Sequence, residues 1–335
     1  MPELITPTPS GLYCAAGDFH IDPWRPVSRA VITHAHADHA RSGCNAYLCA
    51  EIGRDILAER VGKSALIETL PYGQPTTLGD TRVSLHPAGH ILGSAQVRVE
   101  HKGEVWVVSG DYNNAVTSPA CAPFEPVPCH VFITESTFGL PIYNWPDPHQ
   151  VFGEIRQWWA QNAAQGITSI LPAYPLGKSQ RLIAGLGDGP GPLAVHGNVQ
   201  TFLPHYRRAG IDLPPTVPLR ADSLADLRGR ALVITSSAAQ DTALLTKLGP
   251  TATALASGWM TTRAARRSRA ADRGFILSDH ADWPGLLRAI QATGAPRIGV
   301  THGQLQTFTR YLRDNMDLDA FIIPTRFSGE APASP

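Results

Sequence analysis

The segment HAHADH at residues 34–39 places three imidazoles and one carboxylate within six residues, directly after the apolar run AVI at 30–32. Imidazole and carboxylate ligands together favour zinc, manganese or iron over calcium or magnesium. A strand that ends in a ligand-bearing loop holds such groups rigidly, as a metal site requires. The segment therefore predicts a transition-metal site.

Other titratable residues follow apolar runs in the same way. Six of the thirteen histidines occupy this kind of position, which scattered surface histidines would not do. Because parallel sheets collect function at the carboxyl ends of their strands, the pattern predicts that one rim of a sheet carries ligands. The positions are His34, His36, Asp38, His39, His90, Asp111, Glu135, His280 and His302.

Short apolar runs bounded by Gly, Pro or Asp predict the strands that must position these residues. The main runs are Arg29–Thr33, Ala46–Cys49, Arg82–His86, Gln96–Glu100, Val105–Ser109, Val131–Thr134, Ser169–Ala173, Leu193–His196 and Ala231–Ser236. Helical character is expected in Glu51–Arg60, around Trp158 and in Gly177–Leu186. Residues 197–218, with several Pro and Gly, predict partly irregular connections. The alternation favours a mostly parallel, layered α/β fold.

Composition is that of a compact globular protein, with 43% hydrophobic and 17% charged residues in 335. The 28 basic and 28 acidic residues cancel, which argues against a uniformly basic surface but allows a local basic groove. Five cysteines without a Cys-x-x-Cys pair favour reduced thiols. We see no signal peptide and no membrane-length apolar run, so we expect a cytoplasmic protein.

Three motifs, HAHADH, AGHILGS and SGD, resemble the metal-site pattern of the metallo-β-lactamase fold. Three more, TEST, SDHADW and VTHG, resemble further motifs of the β-CASP nucleases. The resemblance covers nearly the whole chain with every motif in order. The segments GDFHIDPW and LPAYPLGK are similar to the bacterial ligase-associated DNA exonucleases within that family.

The resemblance implies an α/β fold, a metallo-β-lactamase four-layer αβ/βα sandwich with an inserted β-CASP domain. Residues 1–140 and 275–328 would form the two parts of the metallo-β-lactamase domain. Residues 141–274 would form the β-CASP domain, and residues 329–335 a tail.

The resemblance also implies two divalent metal ions, with zinc favoured and manganese as an alternative. One ion would be held by His34, His36 and His90, and the other by Asp38, His39 and His302. Asp111 would bridge them. Two such ions can activate a water and stabilise both oxygens of an in-line displacement at phosphorus.

Four residues are the expected catalytic set: Asp38, Asp111, His280 and Glu135. His280 would be the general acid near the leaving oxygen, since an imidazole suits that role near neutral pH. Glu135 would hydrogen-bond His280 and fix its orientation.

Segments in the middle of the chain suggest substrate contacts. Lys178 and Ser179 begin a helix after a strand, and a helix N-terminus with Lys nearby favours phosphate. Ser236 and Ser237 follow another strand. The densest positive run contributes the remaining candidates, Arg263, Arg266 and Arg267.

The expected function is a metal-dependent nuclease, specifically a DNA exonuclease in repair, with 5′-to-3′ polarity favoured by the resemblance. Its expected partners are nucleic acid, DNA more than RNA, and DNA repair proteins such as a ligase or helicase. An RNA-processing exo- or endoribonuclease of the same family stays open, because both kinds share the metal motifs. A small-molecule hydrolase would not need the middle segment. An oxygen-reducing di-iron protein would be expected to carry Glu in place of His36.

Overall fold

A computed structural model describes residues 3–114, 118–236, 243–262 and 271–325. Its contacts divide the chain into two compact units. The first unit contains the described parts of Met1–Tyr143 and His280–Ala333, and the second the described part of Asn144–Asp279. The domain boundaries at 140 and 274 stay predictions, since contact units and domains are different divisions.

Strands occur along the whole length of the described chain. In sequence order they are β1 (Thr6–Thr8), β2 (Gly11–Cys14), β3 (Phe19–Ile21), β4 (Arg29–Val31), β5 (Ala46–Ala50), β6 (Ile67–Leu70), β7 (Pro75–Leu78), β8 (Thr81–Pro87), β9 (Ala95–His101), β10 (Glu104–Val108), β11 (Val131–Ser136), β12 (Thr168–Pro172), β13 (Leu193–Val195), β14 (Val217–Pro218), β15 (Leu232–Thr235), β16 (Thr251–Ala256), β17 (Arg273–Phe275), β18 (Arg297–Gly303) and β19 (Asp319–Ile322).

Helices connect many of these strands. They are α1 (Arg54–Val61), α2 (Pro148–Ala164), α3 (Lys178–Leu186), α4 (Gly197–Gln200), α5 (Leu203–Arg208), α6 (Leu224–Leu227), α7 (Ala243–Thr246), α8 (Trp283–Thr293) and α9 (Leu305–Met316). Two 3₁₀ turns cover Glu51–Gly53 and Gly258–Thr261. The strands and helices expected from the sequence are present with ends shifted by a few residues, and the α/β class is confirmed.

The first unit contains two mixed sheets. One has the order β1-β2-β3-β4-β5-β6 and the other β19-β18-β11-β10-β9-β8-β7. Strands β3 to β6 are parallel, as are β10, β11, β18 and β19, whereas the remaining neighbours are antiparallel. The mostly parallel arrangement expected from the sequence is therefore only half right here, because hairpins build one side of each sheet.

Strand β11 shows how the layers of this unit are held. All six of its residues are buried, so both of its faces are covered. Because side chains alternate along a strand, Val131 and Ile133 enter the core shared by the two sheets. Phe132 points the other way, into a core with Leu286 of α8 and Phe308 of α9. The second sheet is thus packed between the first sheet and two helices.

The second unit contains a six-stranded sheet that is parallel throughout, in the order β14-β13-β15-β12-β16-β17. Parallel strands buried on both faces explain why these runs are almost wholly apolar. Helix α2 begins where Asp147 accepts a hydrogen bond from His149 N at 2.8 Å and Pro148 occupies the first turn. Here the predicted parallel arrangement is confirmed.

The expectation of irregular connections over residues 197–218 is wrong in part, because α4 and α5 lie there. His196 caps α4, with Nδ1 accepting from Asn198 N at 3.3 Å. Pro204 lies in the first turn of α5, where a missing N–H costs no hydrogen bond.

All five cysteines are free thiols, as expected. Among the described residues, no helix has both the length and the apolar character needed to cross a membrane.

Candidate metal centre

Strand ends of the first unit carry the predicted ligands. Residues 34–39 follow β4 in a tight turn, in which Ala40 N donates to His36 O at 2.9 Å. His90 lies between β8 and β9, and Asp111 lies just after β10. Glu135 lies near the end of β11 and His302 near the end of β18. The rim predicted from the sequence is a physical edge of the two sheets.

A first group brings together His34, His36, His90 and Asp111, with one ligand atom of each within 4.8 Å of the others. Asp111 Oδ2 lies 3.6 Å from His34 Nε2 and 3.8 Å from His90 Nε2. His36 Nδ1 lies 3.2 Å from His90 Nε2. Three imidazoles and a carboxylate at this spacing form a suitable donor set for one transition-metal ion.

A second group shares Asp111 and adds His39 and His302. His39 Nε2 lies 3.5 Å from Asp111 Oδ2, and the His39 and His302 rings stack with centroids 5.4 Å apart. Asp38 places its Oδ2 3.6 Å from His39 Nε2, but its side chain is 47% exposed and it is outside this group. Asp111 therefore belongs to both groups, as a bridging ligand must.

Asp22 and Thr33 fix how two of the imidazoles face the centre. Asp22 Oδ2 accepts a hydrogen bond from His39 Nδ1 at 2.8 Å, because an ionised carboxylate only accepts. Thr33 Oγ1 donates its single proton to Asp22 Oδ2 at 2.5 Å, so it accepts from His34 Nδ1 at 3.1 Å. In their neutral form both imidazoles thus carry hydrogen on Nδ1 and direct Nε2 toward the site.

These two Nε2 atoms are the direct test of whether the residues fit a metal ion. Within the described ranges, His34 Nε2 and His39 Nε2 are buried and have no hydrogen-bond partner. A buried nitrogen lone pair without a donor is costly, and a cation would satisfy both atoms. The donor set, the orientation and the unpaired atoms agree, so the residues present fit a metal centre.

The pKa shifts of the histidines at the centre also fit a metal site. Burial lowers the pKa of His34 well below its usual value and also lowers the pKa of His302. At His39 burial is outweighed by the carboxylates of Asp111 and Asp38, which raise its pKa well above the usual value. The excess of negative charge that favours a proton on His39 would equally attract a metal cation.

A third group lies beside the first and contains Asp111, Glu135 and His280. His280 Nδ1 lies 2.9 Å from both carboxylate oxygens of Glu135. Glu135 is buried and accepts further hydrogen bonds from Tyr112 N at 2.8 Å and Thr137 Oγ1 at 2.5 Å. His280 therefore donates from Nδ1 to Glu135. Asp111 links all three groups, so every predicted ligand and acid except Asp38 converges on one place.

Two supporting residues have no role assigned from the sequence. In the sequence, Asp22 belongs only to a segment that resembles a family motif, and Thr33 is only the last residue of a predicted strand. The segment GDFHIDPW, which contains Asp22, carries the available signal. Nothing in the spacing indicates that a residue seventeen positions before His39 orients its ring.

Three of the seven predicted substrate residues are described by the structure, and each has a partner within the second unit. Ser179 is fully buried and donates to Tyr174 O at 2.8 Å. Ser236 accepts from Asn198 Nδ2 at 3.3 Å. Lys178 Nζ donates to Leu277 O at 2.6 Å. The other candidates, Ser237, Arg263, Arg266 and Arg267, lie outside the described residues. The substrate contacts stay predictions.

The chain is similar to known proteins in sequence and in fold. No family model matches the chain. The Probable DNA ligase of Opitutus terrae is 32% identical over 319 residues, which cover 93% of this chain and 30% of that protein. RNase aCSPSF2 of Saccharolobus solfataricus is 25% identical over 51% of this chain and 40% of its own length. The chain thus spans less than half the length of either relative.

A solved structure has a similar fold. It is a protein of unknown function from Enterococcus faecalis, with a TM-score of 0.61, 12% identity, and coverage of 90% of this chain and 80% of that one. At this identity the similarity concerns the fold alone. The sequence relatives and the ordered motifs agree: the chain is similar to the β-CASP nucleases of the metallo-β-lactamase-related proteins.

Proposed function

We propose that this protein is a two-metal phosphodiesterase that acts as a DNA exonuclease, with 5′-to-3′ polarity favoured by the family resemblance. The observation that supports it most is the pair of buried, unpartnered Nε2 atoms of His34 and His39, which lie 3.6 Å and 3.5 Å from Asp111 Oδ2. Such an arrangement suits two cations that share one carboxylate. Ions held there would activate water and stabilise charge on the phosphate oxygens.

The metal ligands are assigned in this proposal by their positions. His34, His36 and His90 would hold one ion. His39 and His302, with Asp38 nearby, would hold the other, and Asp111 would contact both. Imidazole and carboxylate donors favour zinc, with manganese as the alternative.

The protein's own acid is His280 in this proposal. Its Nδ1 is engaged by Glu135, so a proton on Nε2 would point away from that carboxylate and would be the one passed to the leaving oxygen. Glu135 is held by a main-chain N–H and a hydroxyl, so it fixes the tautomer and the ring plane of His280. The ring of His280 lies 4.8 Å from that of His90, which places the acid beside the first group of ligands.

The wider assignments follow from the same proposal. Residues 1–140 with 275–328 would be the metallo-β-lactamase domain, an αβ/βα sandwich. Residues 141–274 would be the inserted β-CASP domain, and 329–335 a tail. The protein would work in the cytoplasm on DNA, alongside repair proteins such as a ligase or helicase.

DNA is favoured over RNA by one relative. The Probable DNA ligase matches nearly the whole chain, and a ligase acts on DNA ends. The second candidate, an RNA-processing exo- or endoribonuclease, is supported by the relative named RNase aCSPSF2, which matches half of the chain. Both candidates would use the same centre, so the substrate must be decided by experiment.

A digest of end-labelled polymers tests the proposal. The protein is reconstituted with zinc or manganese and given single- and double-stranded DNA and RNA, each with a 5′-hydroxyl or a 5′-phosphate. We expect mononucleotides released from the 5′ end of DNA as the first product. Early internal fragments of RNA would support the second candidate instead.

Two variants connect the activity to the site. His280→Ala should lower kcat about 10²- to 10⁴-fold, the usual contribution of a general acid. His101→Ala, which removes a ring bonded to Asp80 O outside the three groups, should leave it unchanged. Release of no nucleotide from any polymer, or equal activity of the two variants, would contradict the proposal.

A further inference from the structure

Two cations at the start of α3 hold the segment that leads directly to His280. Lys178 Nζ donates to Leu277 O at 2.6 Å and lies 3.5 Å from Asp279 Oδ2. Arg181 Nη1 donates to Asp279 Oδ1 at 3.0 Å and also to the carbonyl of Ser278. Three consecutive residues are therefore fixed by two side chains about one hundred positions earlier in the chain.

The cluster is buried. The side chains of Lys178, Arg181 and Asp279 are 12%, 7% and 9% exposed. A buried ion pair adds little net stability, because desolvation offsets the attraction between the charges. Removing one partner, however, leaves an uncompensated charge in the interior. Such a cluster therefore acts mainly by restricting the backbone to one position.

Lys178 is committed to this cluster. Burial lowers its pKa to about 8, and the Asp279 carboxylate opposes that shift. The ammonium group thus keeps its proton at neutral pH and donates within the protein. A lysine engaged in this way is poorly suited to the phosphate contact that the sequence suggested for it.

The residues that follow are held just as closely. His280 is bonded to Glu135, and Ala281 N donates to Tyr112 O at 2.7 Å. Asp282 then caps α8 by accepting from Gly285 N at 2.8 Å. Lys178, Arg181 and Asp279, here called the Lys178–Arg181 cluster, fix the backbone directly before the His280 imidazole.

We propose that Lys178 and Arg181 are positioning residues that fix residues 277–279, and through them the backbone of the acid His280. The inference rests on the proposed function, since it assigns a support to the acid of that site. His280 Nδ1 must meet two carboxylate oxygens at 2.9 Å, and a small displacement of its main chain would disturb that contact.

The test is a double-mutant cycle between Lys178 and His280, in the full chain with metal. Lys178→Met keeps the apolar stem and removes the charge. We expect it to lower kcat about 10- to 100-fold, as loss of a supporting residue does, with KM unchanged. In the His280→Ala background the same substitution should have no further effect, because the group it positions is absent.

A substrate contact would behave differently. Loss of a phosphate contact would raise KM, reduce the salt dependence of binding by about one ion, and persist in the His280→Ala background. A purely structural role would lower activity equally in both backgrounds. Either result would overturn the inference. Lys247→Met, at an exposed lysine of the same unit, is the matched control and should leave kcat unchanged.

A second variant covers the case in which Lys178→Met does not fold. Arg181→Lys retains the charge but loses Nη1, which donates to both the Ser278 carbonyl and the Asp279 carboxylate. Its smaller loss of kcat should also vanish in the His280→Ala background. If His280→Ala alone had no effect, the proposed acid would be wrong. If it had its full effect while both cycles were additive, only the positioning role would be wrong.

Discussion

A single carboxylate, that of Asp22, sets the chemical state of two imidazoles in the candidate centre. It accepts from His39 Nδ1 directly and from Thr33 Oγ1, which in turn accepts from His34 Nδ1. Its Oδ1 is held by Thr33 N at 2.7 Å. Carboxylates that bond the outer nitrogen of a metal-bound imidazole fix its tautomer and raise its basicity. Asp22 should therefore affect metal affinity without contacting the metal.

Replacing Asp22 by Asn tests this directly. Asp22 Oδ2 accepts hydrogen bonds from His39 Nδ1 and Thr33 Oγ1, and the amide of Asn can place an N–H at that position instead. His39 would then change to the tautomer with hydrogen on Nε2. We expect one of two zinc ions to bind about 10- to 100-fold more weakly. Competition with a chromophoric chelator measures this affinity without reference to activity.

Asp18 provides a matched control. Like Asp22 it has a positive φ, 49° against 44°, which Asn also tolerates. Its carboxylate accepts from Tyr13 Oη at 2.8 Å and is exposed. Asp18→Asn should leave both zinc affinities unchanged. Equal affinities in the Asp22→Asn protein and the unmodified one would show that the carboxylate has no part in the centre.

At the scale of elements, the loop between β8 and β9 has a backbone that only glycine permits. Gly89, directly before His90, has φ of 73°. A Cβ there would lie 2.1 Å from Asn113 O and 3.0 Å from Phe124 N, both main-chain atoms that cannot turn aside. The first glycine of the AGHILGS motif is thus required by close packing of this loop against the connection between β10 and β11, and it fixes the backbone directly before His90.

Gly89→Ala should therefore be strongly destabilising. Gly73→Ala is the matched control, because Gly73 has φ of 75° and open space where the Cβ would stand. The control should lose only the left-handed strain, about 1–2 kcal/mol of unfolding free energy. Gly89→Ala should lose at least about 2 kcal/mol more, from the clash. Urea denaturation gives both values, and equal losses would refute the close approach.

At the scale of the whole molecule, the net charge of zero is the sum of a basic part and an acidic part of the chain. The second unit, Asn144–Asp279, has 14 basic against 9 acidic residues, so the rest of the chain has 14 against 19. The unit that holds the candidate metal centre is thus acidic, as a site for cations should be. The other is basic, which suits a polyanionic substrate. The total charge did not exclude nucleic acid as a substrate, and the distribution of charge between the two parts of the chain favours such a substrate.

Many of the strands and the candidate ligands could be predicted from the sequence for physical reasons. Apolar runs located the strands because burial on both faces requires them to be apolar, as in β11. The ligands were found because each follows such a run. The short antiparallel strands β1 and β7 were not predicted, because partly exposed edge strands have weak patterns.

The features that the sequence did not predict depend on contacts between residues that are far apart in the chain. The roles of Asp22 and of the Lys178–Arg181 cluster arise from hydrogen bonds across 17 and about 100 positions. No local periodicity encodes these pairs. Likewise, Lys178 resembles a phosphate ligand in sequence, and only its buried bond to Leu277 O suggests another use.

The central claim is that Asp111 joins two metal ions in one centre. The direct measurement is the number of zinc ions bound per chain by elemental analysis, taken with nuclease activity, for the unmodified protein and Asp111→Ala. The account predicts two ions in the first, at least one fewer in the second, and an activity loss greater than the roughly 100-fold cost of losing a supporting residue, with circular dichroism unchanged. An Asp111→Ala protein that keeps two ions and full activity would contradict it.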